Sequence, residues 1–445
     1  MIRLSSAIAA SLLASVLHCA PVAAEDLIQV YQEAERSDPT LAAARATYQA
    51  TKEAVPQARA GLLPNVSVTG AVNANNYDAS IHSDPRIDVN RGFWFGELTV
   101  SASQPLYRKA NQIALSEADK QVEQADYTLE AAKQDLMLRV AGAYFDVLLA
   151  QFNVDLADSQ KAAVSEQLAQ AKRNFEVGVA TITDTNEAQA AYDAIVAQEI
   201  SSKNDLDNKR TALRAIIGRN PTDLKPLGPS FEPTLPTPDS LDYWVERALS
   251  DNLAVKIAQY NSEIAGLEIE RQRAGHLPTL DLVGSYGAQA SNGTVQLGVS
   301  SDTRQAIIGL ALTVPLYQGG FVDSRVRQAI ALQDNARQNL ELARRNALFG
   351  AQTGFSGVTS AAASVKAFEQ ALVSAKSAYE SNKTGQEVGV RTNLDVLNTQ
   401  QNVFQRRRDL AQAYFNYLLG VLRLKSAVGT LSIDDLQDVN RRLQG

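Results

Sequence analysis

The side chains able to do chemistry are few, and their spacing removes most chemistries at once. Cys19 is the only cysteine and lies ahead of Glu25, where an export signal would be cut, so the mature chain has no thiol for a disulfide or a thiolate metal site. Beyond it only His82 and His276 remain as histidines, far apart and without ligand spacing. No nucleophile, metal or phosphate-loop constellation accompanies them, which excludes an enzyme reading, a metal site and a cofactor. What remains is charge and hydrogen bonding in one segment that occurs twice. FEVGVATITDTNEAQ, from Phe175 to Gln189, returns about 211 residues later as QEVGVRTNLDVLNTQ, from Gln386 to Gln400. Arg391 in one copy stands where the other has Ala180, a difference that a requirement common to both copies cannot explain. Thr183 and Asp184 suit caps at a helix start, and Asp395 suits a carboxylate favoured by a helix dipole. Gly178 and Gly389, each between valines, suit the left-handed residue that stops a helix.

The elements that position these segments repeat as well. Leu63-Pro64 matches Leu277-Pro278, Pro105-Leu106-Tyr107 matches Pro315-Leu316-Tyr317, and Gly218 matches Gly429. Self-similarity over half a chain means a duplicated structural unit. Each copy reads as helix, strand, strand, very long helix, VGV turn and return helix. The expected division is a signal peptide at 1–24, a first repeat at 25–225, a proline-rich linker at 226–239, a second repeat at 240–432 and a short tail at 433–445.

Arg3, the apolar run from Ile8 to Leu17 and the small residues Val22-Ala23-Ala24 make the signal. Cys19 preceded by His18 argues against a lipoprotein. A net charge of -7 argues against a nucleic-acid surface. After the signal no uninterrupted apolar stretch is long enough for a membrane helix.

Period-two alternation marks four strands. Val66, Val68 and Val72 oppose Ser67, Thr69 and Asn73; Trp94, Leu98 and Val100 oppose Glu97, Thr99 and Ser101. In the second copy Leu280, Leu282 and Tyr286 oppose Asp281 and Ser285, while Ile308, Leu310 and Leu312 lie on one face. Strands are expected at about 64–75, 93–104, 278–290 and 303–314, with polar loops at 77–91 and 291–302. Such alternation also fits amphipathic hairpins on a soluble core; the export signal and the duplication favour membrane strands. Four strands cannot close a barrel that needs about eight at least, so the chain must oligomerise, and a cyclic trimer supplies twelve.

Long helices are expected at about 107–176 and 321–386, free of proline and rich in good helix formers. Roughly 65 residues at 1.5 Å each give a rod of about 100 Å. Return helices at 183–217 and 393–428 complete two hairpins whose alanines favour close, coiled-coil-like approach.

EDLIQVYQEAERSDPTL after the signal, GHLPTLDL, PLYQGG at Pro315 to Gly320, NVFQRRRDLAQAYFNYL and LKSAVGTL together resemble the TolC-like outer-membrane efflux family, over Glu25 to about Asn440. The resemblance implies an α+β membrane protein: a homotrimer with a twelve-stranded β-barrel, four strands per protomer, in the lipid of the Gram-negative outer membrane. A long α-helical coiled-coil barrel would carry it across the periplasm. It implies an exit duct for tripartite drug efflux or type I protein secretion, opened by a periplasmic adaptor and an inner-membrane RND or ABC transporter. A general porin would explain the strands alone, and a periplasmic coiled-coil scaffold the rods alone.

Site roles also come with the resemblance. Arg391 corresponds to an arginine tied to a Thr-Asp pair on the neighbouring hairpin, here Thr183 and Asp184, which holds the inner end closed. Gln386 stands where the family's constraining network has a tyrosine. Of two aspartate rings at the narrow entrance, Asp395 is kept and the second is Asn398, so a trimer presents three carboxylates instead of six and a weaker field for cations. Val177, Gly178, Val179, Val388, Gly389 and Val390 would form the tips on which the adaptor docks.

Overall fold

The computed structural model describes residues 24–82, 84–85, 87–228, 232–293 and 299–444. The signal-peptide expectation lies outside them apart from Ala24, as does the middle of the second polar loop.

Three helices, α1 (Leu27–Ser37), α2 (Pro39–Lys52) and α3 (Ala54–Ala60), lead into β1 (Asn65–Ile81) and β2 (Ile87–Tyr107). Then α4 (Lys109–Glu176) runs to the first tip and α5 (Ile182–Ile217) returns. The order repeats as α6 (Leu241–Asp251), α7 (Leu253–Arg273), β3 (Thr279–Ser291), β4 (Ser301–Thr313), α8 (Phe321–Glu387) and α9 (Asn393–Ala427), and α10 (Ile433–Gln444) follows. With 68 and 67 residues, α4 and α8 are rods of about 100 Å.

The strands form one antiparallel sheet in the order β1-β2-β3-β4. Register keeps the apolar rows together: Val68 pairs with Val100 and Val100 with Tyr286, while Leu282 pairs with Leu310. These side chains are exposed in the protomer, Ile308 at 81% and Val72 at 80%. An apolar sheet face of this extent is what lipid covers in a barrel. Arg108, at the turn from β2 into α4, donates through Nε and an Nη to the two carboxylate oxygens of Asp281 in β3, at 2.9 and 2.6 Å. That bidentate pair ties the first copy's strand-to-helix junction to the second copy's sheet.

Two expectations are corrected. The first hairpin is longer than expected, and the polar stretch 77–91 is mostly strand: Tyr77 pairs with Arg91 and Ser80 with Asp88. Tyr77, Asp78, Ser80, Asp88 and Asn90 are exposed, while Val89 keeps the β-branched preference for extended backbone. The expected tail at 433–445 contains a helix. Ser432 N–H donates to Asp435 at 2.8 Å, and Leu436, Val439 and Leu443 are buried. Asn440 accepts from Leu27 N–H at 3.0 Å, which fastens α10 to the first residues of α1.

The core lies at mid-height of the rods. Tyr144, Phe145, Phe415, Tyr417 and Leu418 are buried together, with the Phe145 and Phe415 rings stacked 5.6 Å apart. The linker lies on this belt: Tyr144 Oη donates to the carbonyls of Glu25 and Lys225, and Tyr417 Oη to Thr234 O at 2.7 Å. Toward the tips the packing thins to small clusters, Val164 with Ile195 and Leu397, and Leu168 with Ala171 and Ala188. A region with few buried apolar contacts opens at low free-energy cost.

Candidate gate at the helical tips

Both tips are built by the same backbone hydrogen bonds. At the end of α4, Gly178 N–H donates to Phe175 O and Val179 N–H to Asn174 O, each at 2.9 Å. At the end of α8, Gly389 N–H donates to Gln386 O at 3.0 Å and Val390 N–H to Gly385 O at 2.8 Å. This paired closure needs a left-handed residue after the cap, and Gly178 and Gly389 supply it at φ 82 and φ 78. The flanking valines gain no cover: Val177, Val179, Val388 and Val390 are all about 70–80% exposed.

The return helices also start alike. Thr181 caps α5: its N–H and hydroxyl both donate to Asp184 Oδ2 at 2.8 Å, and its Oγ1 accepts from Asp184 N–H at 3.2 Å. Thr392 and Asp395 repeat the pattern on α9 at 3.0, 2.9 and 3.2 Å. The cap is therefore Thr181, two residues before the expected Thr183, which is exposed on the first turn of α5. Each Asp spends only Oδ2 on its cap; Oδ1 of both makes no hydrogen bond among the described residues. The Asp395 carboxyl is held below the usual carboxylate range, first by the Thr392 N–H, then by the Thr392 hydroxyl, with the positive charge of Arg391 adding to them.

The copies part company in their side chains. Arg391 is exposed and forms no ion pair within the protomer among the described residues, so Arg391, Thr183 and Asp184 are not brought together inside one chain. Gln386 Nε2 donates to Asn393 Oδ1 at 3.3 Å, closing the second tip on its own return helix. Asp395 and Asn398 lie three residues apart on one face of α9. Val396 and Leu397 are buried, with Leu397 packed on Val164 and Ile195 of the first hairpin. Among the described residues no group of His, Cys, Asp and Glu could hold a metal ion, and no helix is long and apolar enough to cross a membrane.

An apolar-faced sheet with two unpaired edges, carried on two hairpins of about 100 Å, defines one protomer of an outer-membrane channel with a periplasmic tunnel. Residues 30–219 and 244–430 match the outer membrane efflux protein family, and the chain belongs to it. It is 36% identical to the outer membrane protein TolC of Vibrio cholerae, over 95% of this chain and 94% of that one. It is 31% identical to the proteases secretion protein PrtF of Dickeya chrysanthemi, over 93% and 90% of the two chains. The crystal structure of the outer membrane protein VceC from Vibrio cholerae matches at a TM-score of 0.77 and 19% identity, covering 91% of this chain and 96% of that one. The chain thus has the fold of these outer-membrane channels, a four-stranded sheet continued by two long helical hairpins. The protein is an exit duct for efflux and/or type I secretion in the Gram-negative outer membrane, reaching into the periplasm; its family is one of channels and transport proteins.

Proposed function

We propose that the two tips of each protomer form the gate of this duct, with its closure, selectivity and recruitment assigned to separate side chains. Arg391 engages Thr183 and Asp184 of the neighbouring hairpin in the trimer and holds the inner end closed. The observation that carries this reading is complementary: among the described residues Arg391 forms no ion pair in its own protomer, and Asp184 keeps Oδ1 unbonded after its Oδ2 has served the cap. A planar guanidinium suits a carboxylate oxygen beside a threonine hydroxyl. Gln386, turned to Asn393, contributes less to closure than a residue reaching across hairpins would.

Asp395 supplies a ring of three carboxylates in the trimer and Asn398 a neutral ring one turn further, which favours cations through a field weaker than six charges would give. The exposed Val177-Gly178-Val179 and Val388-Gly389-Val390 surfaces dock a periplasmic adaptor, and an inner-membrane RND or ABC transporter delivers the cargo. The chain performs no covalent chemistry on what it passes. The relatives' names span an outer membrane efflux protein and a proteases secretion protein, which supports a duct whose pump selects the cargo.

A photocrosslinking residue at Val179 or Val390, in the intact outer membrane, tests the docking surface. Capture of an adaptor from both positions, and none from Arg344, exposed on α8 in the protomer and far from the tips, is expected; capture from all three or from neither tip removes the assignment.

A further inference from the structure

We infer that Gly385 is a positioning residue for Arg391, an inference that rests on the closing role proposed for that arginine. Arg391 N–H donates to Gly385 O at 3.1 Å, folding the arginine back over the last turn of α8. A Cβ added at Gly385 would stand 2.7 Å from Arg391 Cγ and 3.4 Å from its Cβ. The stem of the arginine therefore lies directly over the Gly385 Cα, in space that any other residue would occupy.

The usual reasons for glycine are missing here. Gly385 is not among the residues with positive φ, and the tip closure uses only its carbonyl. The first tip forms the same closure on Asn174, whose carbonyl accepts from Val179 N–H and from Ala180 N–H at 3.2 Å. Within a helix glycine costs about 0.5–1 kcal/mol relative to alanine. The two copies exchange bulk between the same two positions: Asn174 with Ala180 in one, Gly385 with Arg391 in the other. Where the arginine is present the residue beneath it has no side chain; where it is absent the residue beneath it has one. Gly385 fixes the direction in which the guanidinium leaves the tip, toward the neighbouring hairpin.

The test pairs bilayer conductance with thermal stability of the trimer for Gly385→Ala, Arg391→Ala and the double variant. Gly385→Ala is expected to raise closed-state conductance at least about threefold, a loss of closed-state preference, without lowering the unfolding temperature, because alanine is the better helix residue. In the Arg391→Ala background it is expected to change conductance no further. A purely structural glycine would lower the unfolding temperature and add its effect to that of Arg391→Ala, and either result overturns the inference. If Arg391→Ala opens the channel while Gly385→Ala leaves it closed, the positioning role fails and the lock stands. If Arg391→Ala itself changes nothing, both fall.

Discussion

The two tips of one protomer share every backbone feature and few of the side chains around it. Both close on a left-handed glycine, both expose two valines and both start the return helix with a Thr-x-x-Asp box. Those common features are what a helical hairpin needs in order to turn: satisfied terminal carbonyls and satisfied terminal N–H groups. The differences, Arg391 for Ala180, Gly385 for Asn174 and Leu394 for Thr183, do nothing for the turn. Duplication thus separates the residues that build the turns from those proposed to close the duct, and each class is expected to answer differently to mutation.

The largest expected effect is on leakage. Asp184→Ala and Asp395→Ala each remove one capping box and lose about 1 kcal/mol of helix-start stability. Only Asp184→Ala also removes the acceptor proposed for Arg391, so its bilayer conductance is expected to rise several-fold while that of Asp395→Ala stays near the wild type. Equal conductance changes in the two variants would erase the division between tips.

Cation selectivity should show the reverse preference. Asp395→Ala is expected to weaken cation over anion permeability about twofold or more, and Asn398→Asp to strengthen it. Reversal potentials in a salt gradient report both. The pH dependence has a fixed sign: the Asp395 carboxyl titrates below its ordinary value, so its charge and its share of cap stability persist above about pH 4. They are lost as pH falls through that lowered value. Selectivity that instead fades between pH 5 and 7 would place the charge elsewhere.

A stability comparison should come out even. Gly178→Ala and Gly389→Ala each force a Cβ into a left-handed backbone with nothing within 4 Å, so the strain alone costs about 1–2 kcal/mol at either tip. Thermal unfolding should fall by similar amounts in both; a much larger loss at one tip would show that the turns are not equivalent. The smallest effect is expected from Ala180→Arg. Asn174 carries a side chain where Gly385 has none, so an arginine at 180 cannot fold back over its helix, and closed conductance should stay at the wild-type value.

Much of this architecture is legible in the residues. Period-two alternation places the apolar face of all four strands, the pattern expected where lipid and lumen sort side chains strictly. Long runs free of proline placed both rods, and the VGV repeats placed both tips. The ends were harder to read. Tyr77 to Ile81 is polar enough to resemble a loop, yet a hairpin standing in water needs no apolar face to keep its ladder. The last helix had a readable signal in Ser432, Asp435 and the spacing of Leu436, Val439 and Leu443, obscured by its place at the chain end. At the site, threonines at both 181 and 183 precede or begin α5, and only the folded geometry decides that Thr181 is the cap. Gly385 carries no local signal, since a helical glycine acquires meaning only from the arginine stem lying over it.

The central claim is that Arg391 and Asp184 act as one device across two hairpins. A double-mutant cycle of Arg391→Ala and Asp184→Asn, read as single-channel conductance in planar bilayers, tests it most directly, because asparagine preserves an acceptor for the Thr181 cap. The account predicts that each variant raises conductance and that the pair together raises it no more than the larger single change. Effects that multiply, or single variants that stay closed, would contradict it.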